Sequence, residues 1–124
     1  MYKDLRWLLQ SFGLMASFYN AIGMQIECEK AYVRYVELIE QFFNGDSLET
    51  SNAYFLVGFY YFEQNMTHKA IACFRKSLAI RELKLQPHHV ACSDCLLNLG
   101  ILYKLRGLTD HAKQNLERAL RIRE

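Results

Sequence analysis

SNAYFLVGFYYFEQNMTHKAIACFRKSLAIRE (Ser51 to Glu82) and SDCLLNLGILYKLRGLTDHAKQNLERALRIRE (Ser93 to Glu124) align without a gap at a shift of 42 residues. Gly58 falls on Gly100, Tyr61 on Tyr103, Thr67 on Thr109, Ala70 on Ala112 and Leu78 on Leu120, and the triplet Ile80-Arg81-Glu82 falls on Ile122-Arg123-Glu124. A further shift of 42 residues finds a weaker copy in Ala16, Tyr19, Gly23, Cys28, Tyr32, Val36, Leu38 and Glu40. Self-similarity at a fixed period is the mark of a repeat architecture, so the chain reads as three stacked units.

Within each copy the apolar residues recur every three or four positions. Leu96, Leu99, Gly100 and Tyr103 form one such series, and Ala112, Leu116, Ala119 and Leu120 another, which requires two helices joined by a short turn. Small residues at Ala16, Gly58 and Gly100 let the paired helices approach closely. Gly23, Asn65 and Gly107 stand where the first helix of each copy ends and suit a left-handed cap, and Thr67 and Thr109 are placed to cap the second helices. Asn44-Gly45 ends a helix, Asp46-Ser47 with Glu49 begins the next, and Pro87 fits the first turn of the third copy's first helix. The expected fold is all-α, a superhelix of three helix-turn-helix units. Its six antiparallel helices are placed at about 4–22, 26–42, 47–64, 68–84, 88–106 and 110–124. With one Pro, six Gly and no low-complexity stretch, residues 1–124 read as a single domain.

Composition narrows the function classes. The longest weakly polar run, Phe12 to Met24, is too short to cross a bilayer, and MYKDLRWLLQ does not resemble a secretory leader. Four irregularly spaced cysteines then read as reduced thiols in the cytoplasm. No Gly-rich phosphate loop, His-Glu metal motif or Ser-His-Asp set is legible, so a non-enzymatic chain without a cofactor is expected. His68 and His111 read as surface residues, and Glu27, Glu29, Glu37 and Glu40 as a solvated face. PHHVACSDC, Pro87 to Cys95, offers His88 or His89 with Cys92 and Cys95 as soft ligands. These fall one short of a closed zinc site, and the repeat register puts Cys92 on Thr50 and Cys95 on Ala53, both places for small residues.

The motif of a bulky residue, Leu-Gly, Tyr, Gly, Ala and Ala-Leu resembles the tetratricopeptide repeat. Tyr54, Val57, Gly58, Tyr61, Ala70, Phe74 and Leu78 carry it in the middle copy. Leu96, Leu99, Gly100, Tyr103, Gly107, Ala112, Ala119 and Leu120 carry it in the last. The 42-residue period and the endings SLAIRE and RALRIRE are similar to the long-helix subtype of kinesin light chains and nephrocystin-3-like ciliary proteins. The first copy departs from the pattern at Met15, Cys28 and Tyr35, as a terminal repeat does.

That resemblance implies a protein-interaction scaffold whose first helices line a concave groove holding a peptide or helix. It would be an adaptor, or a structural part of a motor, centrosomal or axonemal complex, with a cytoplasmic location that extends to the cytoskeleton or cilium. The groove positions would be Gln10, Gly13, Leu14, Ser17 and Asn20 in copy one. Copy two supplies Asn52, Phe55, Leu56, Phe59 and Phe62, and copy three Asp94, Leu97, Asn98, Ile101 and Lys104. A carboxylate clamp of the chaperone-binding kind is not reproduced, and of the paired asparagines of kinesin light chains only Asn98 matches. Phe55, Phe59 and Phe62 form either a binding stripe or a packed one. At the chain's end Leu108, Leu116 and Ile122 are expected to leave apolar surface on an uncovered helix. Truncation from something longer is the preferred explanation, and an end-to-end contact with another subunit the other.

Charge is uneven. Residues 1–62 carry four basic and seven acidic side chains, and residues 63–124 eleven basic and six acidic. The basic set Lys104, Arg106, Lys113, Arg118, Arg121 and Arg123 offers nucleic acid or an acidic partner surface as the alternative function.

Overall fold

The computed structural model describes residues 2–123, with side chains from Gln10 onward. Six helices follow in order: α1 (Tyr2–Ala21), α2 (Gln25–Phe43), α3 (Leu48–Glu63), α4 (Thr67–Leu85), α5 (Val90–Leu105) and α6 (Thr109–Arg123). Among the described residues there is no strand, and the fold is an all-α repeat. The chain divides into two compact units, Met1–Gly45 and Asp46–Glu124.

In the first unit α1 and α2 form a hairpin. Cys28, Ala31, Tyr32, Val36 and Ile39 are buried on one face of α2, and Ala16 of α1 is fully buried with them. The Cys28 thiol donates to the Ala16 carbonyl at 3.2 Å, which fixes the crossing where both residues are small.

The second unit holds two hairpins, α3 with α4 and α5 with α6, joined by packing of α4 on α5. Phe74, Leu96, Leu99 and Leu102 are its largest fully buried apolar side chains. A Cβ added at Gly58 would lie 3.1 Å from Cys73 Cβ, and one at Gly100 would lie 2.7 Å from Leu116 Cγ. Glycine at these two places is therefore what lets the helices of each hairpin meet. Leu116, expected at the surface, is half-buried because it fills the space that Gly100 leaves.

The three turns inside the hairpins are built alike. Gly23, Asn65 and Gly107 all take positive φ, at 82°, 61° and 79°. Around them the Met24, Met66 and Leu108 amides donate back to the Tyr19, Tyr61 and Tyr103 carbonyls at 2.8, 2.9 and 2.9 Å, closing the first helix of each copy. The Met24, Met66 and Leu108 carbonyls already accept from Cys28, Ala70 and Ala112, each at 3.0 Å. This tightness overturns one expectation. Met66 occupies the capping position of α4 with no side-chain bond, and Thr67 and Thr109 are the first helical residues rather than caps.

The two links between copies also match. Asn44 and Gln86 close α2 and α4 at φ 71° and 100°. Ser47 then caps α3, its hydroxyl accepting from Thr50 N–H at 3.1 Å, as the sequence suggested. Before α5 the outcome differs. Pro87 lies in the turn, ahead of the helix, and His89 is the cap, its Nδ1 accepting from Ala91 N–H at 3.0 Å. Gln86 at φ 100° and ψ 148° has nearly the geometry of Asn44 at φ 71° and ψ 155°, which no proline follows, so the link keeps its shape with or without proline and Pro87 sits in it ahead of the helix.

Candidate partner-binding face

An aromatic run in α3 places three rings, Phe55, Phe59 and Phe62, at helical spacing, but the helix does not treat them alike. Phe55 sits edge-on to the buried Phe74 of α4, centroids 5.3 Å apart, and the Arg81 guanidinium lies 4.6 Å from its ring. Phe55 is thus half-buried packing inside the hairpin. Phe59 reaches Phe74 only at 6.4 Å, stacks beside Phe62 at 6.2 Å, and stays 44% exposed. Leu56, one turn before Tyr60, is 43% exposed. The outward stripe of α3 is therefore Asn52, Leu56 and Phe59, flanked by the half-buried Phe62.

On α5 the apolar exposure continues at Ile101, which is 43% exposed, with Lys104 beside it in the last turn. Leu97 and Asn98 are half-buried. The Asn98 amide donates to the Asp94 carbonyl of its own helix at 2.9 Å. Asp94 itself receives Arg123 of α6 at 2.5 Å. Asn52 accepts from Arg81 Nη2 at 3.4 Å. Asn52, Asp94 and Asn98 are thus held by the scaffold, while Leu56, Phe59 and Ile101 keep nearly half of their surface exposed.

The residue that sequence reasoning missed is Arg81. It is 8% exposed, and from α4 its Nε donates to Ser51 Oγ at 3.1 Å while Nη1 donates to the Ala91 carbonyl at 2.8 Å. One guanidinium therefore ties α3 to α5. Ser51 is in turn locked to Ser77 by hydroxyl and carbonyl bonds of 2.9 to 3.1 Å. The signal was present in the duplicated Ile-Arg-Glu triplet, whose arginine lies on the helix face that also carries the buried Ser77 and Leu78.

The histidine and cysteine segment resolves into structure. His88 and His89 are exposed, whereas Cys92 and Cys95 are fully buried. Cys95 Sγ accepts from Arg81 at 3.4 Å. Burial pushes the Cys92 and Cys95 thiols up from their ordinary range, and Cys73 up to about 11 against a smaller opposing pull from Lys76. These thiols stay protonated near neutral pH, which suits packing and not nucleophilic chemistry. Among the described residues no three His, Cys, Asp or Glu side chains gather closely enough to hold a metal.

Part of the basic set is likewise engaged. Arg118 pairs with Glu82 at 2.7 Å, Arg123 pairs with Asp94, and Arg106 touches the ring of His68. No described helix is long and apolar enough to cross a membrane.

The sequence profile of the tetratricopeptide repeat matches residues 7–83 and 68–124. The chain belongs to the tetratricopeptide repeat family. Among solved structures, the crystal structure of BtubC (BKLC) from P. vanneervenii is similar, with a TM-score of 0.82 over 93% of this chain at 24% identity. This tetratricopeptide repeat chain spans 46% of that protein's length. A search of the curated proteins found none that matches. Repeats of this family generally mediate protein–protein interaction and are typically non-enzymatic scaffolds.

Proposed function

We propose that the chain is a non-enzymatic interaction scaffold that takes an amphipathic helix on the outward face of α3, continuing onto α5. The supporting observation is the exposed pair Leu56 and Phe59, which lies on one helix face beside Phe62. Large apolar side chains exposed side by side at this spacing suit the i, i+3, i+4 anchors of a helical ligand. Lys104 adds a positive charge at the α5 end, which favours an acidic residue flanking the apolar anchors. The site residues of this reading are Asn52, Phe55, Phe59, Phe62, Asp94, Leu97, Asn98, Ile101 and Lys104. Phe59 and Ile101 supply contact area, and Phe55, Asn52 and Asp94 keep the face in shape.

In the cell the scaffold acts as an adaptor or as a structural part of a larger cytoplasmic assembly of motor, centrosomal or ciliary type. The exposed side of α6 offers a second contact at the end of the chain. Cross-linking mass spectrometry in native extract separates the two roles. One fixed set of neighbours on the α3 face identifies a structural part, many substoichiometric clients identify an adaptor, and no cross-links to that face would remove the proposal.

A further inference from the structure

The outward side of α2 breaks a pattern that the other two second helices keep. At the repeat-equivalent places α4 carries His68 and Arg75, and α6 carries Asp110 and Glu117, all of them exposed and polar. There α2 carries Ile26, 69% exposed, and Val33, 43% exposed. Both lie on the side of the helix away from the buried Cys28, Tyr32, Val36 and Ile39, so the core of the hairpin does not account for them.

At 3.6 residues per turn Ile26, Lys30, Val33 and Glu37 run in one line along α2, with the alternating steps of four and three that a coiled-coil seam uses. Glu29 flanks this line on one side and Arg34 on the other. The same six side chains line a surface hollow of about 450 Å³. Arg34 pairs with Glu37 at 3.1 Å, but both side chains are more than half exposed, so a partner's charge replaces either member at little cost.

The charges decide what the line can hold. Two copies of α2 in parallel would set Lys30 on Lys30 and Glu37 on Glu37 within the seam. Antiparallel, each flank would meet its own kind, Glu29 beside Glu29 and Arg34 beside Arg34. Like charges face one another in either direction, which disfavours a second copy as occupant. A helix of different sequence, acidic on one flank and basic on the other, satisfies both sides.

We infer that the outward side of α2 is a docking strip for an amphipathic helix of another protein. The partner sets apolar residues at heptad spacing against Ile26 and Val33, an acidic flank beside Lys30 and Arg34, and a basic flank beside Glu29. The strip lies wholly within the first compact unit and does not depend on whether the α3 face binds anything.

The probe is a labelled peptide of about three heptads, leucine at the two seam positions, glutamate along one flank and lysine along the other. Its fluorescence anisotropy is followed against the full chain, at peptide concentrations where it is monomeric. Two further peptides carry glutamate on both flanks or lysine on both. A peptide can turn end for end, yet neither of these matches both flanks of α2. The mixed peptide is expected to bind at least about tenfold more tightly than either. Val33→Lys should weaken it at least about tenfold, and Lys30→Glu combined with Arg34→Glu should move the preference to the all-lysine peptide. Helical circular dichroism should stay unchanged in both variants, because the altered side chains are exposed. No binding, equal binding of the three peptides, or a preference that the double change leaves in place would each overturn the inference. So would mixed-peptide binding that survives Val33→Lys and is lost in Phe59→Ala, which would put the ligand on α3. Self-association of the chain in sedimentation equilibrium that Val33→Lys removes would also overturn it, because the occupant would then be a second copy.

Discussion

Replacing Arg81 by alanine should weaken the junction between α4 and its neighbours far more than the same change at Arg123. Arg81 is 8% exposed, donates to Ser51, Asn52 and Ala91, and stacks over Phe55 at 4.6 Å. Hydrogen bonds from a charged donor contribute about 1.5 to 3 kcal/mol each when buried, and a desolvated cation–π contact about 2 kcal/mol. Against this stands the relief of burying a guanidinium, several kcal/mol by itself. A net loss of about 3 kcal/mol is expected, or about 12 °C in Tm for a chain of this size. Arg123 makes two of the same bonds, but its side chain is 47% exposed. Its pair with Asp94 belongs with surface ion pairs worth about 0 to 1 kcal/mol. Urea unfolding of the full chain measures both, and hydrogen exchange should place the Arg81→Ala loss in the first turns of α3 and α5. Equal losses for the two variants, or an Arg81→Ala loss under about 1 kcal/mol, would refute the staple as a stabilising device.

Other perturbations follow from the geometry. Gly100→Ala should destabilise by about 1 to 3 kcal/mol in thermal unfolding, because the new methyl meets Leu116 at 2.7 Å. Gly58→Ala, with its closest contact at 3.1 Å, should cost less and is partly offset by about 1 kcal/mol of helix propensity. Asn65→Ala should lose about 1 kcal/mol because its φ of 61° strains a Cβ lacking the amide, whereas Asn65→Gly should be tolerated. The Cys73 thiol is raised to about 11 in the fold, above its unfolded value near 9. A raised thiol pKa stabilises the fold fully below the unfolded value, and that contribution is lost as pH rises from about 9 through 11. Urea midpoints should therefore fall over that window by more in the native chain than in Cys73→Ala.

Hairpin order, turn positions and the close approaches at Gly58 and Gly100 were legible because they depend on local spacing and on residues whose backbone chemistry is distinctive. Gly23, Asn65 and Gly107 took positive φ for that reason. Thr67, Thr109 and Pro87 were misplaced by one to three residues. A turn closed by backbone bonds to Tyr19, Tyr61 and Tyr103 needs no hydroxyl cap, and nothing in the local sequence distinguishes the two solutions. The candidate face was only partly legible. Periodicity placed Phe55 and Phe59 on one stripe, but their difference in burial is decided by Phe74 and Arg81, which arrive from α4. Arg81 and Arg123 looked like register marks because a string does not show that one guanidinium spans three helices.

The interaction face is tested most directly at Phe59. Peptides selected by display against the full chain should carry apolar residues at helical spacing and lose at least about tenfold in affinity, measured by calorimetry, for Phe59→Ala, equivalent to about 1.4 kcal/mol. Thermal unfolding of Phe59→Ala should stay within a few degrees of the native chain, since the ring is 44% exposed. Binding unchanged by Phe59→Ala, or a variant that loses the stability of a core phenylalanine, about 3 to 5 kcal/mol, would contradict the account.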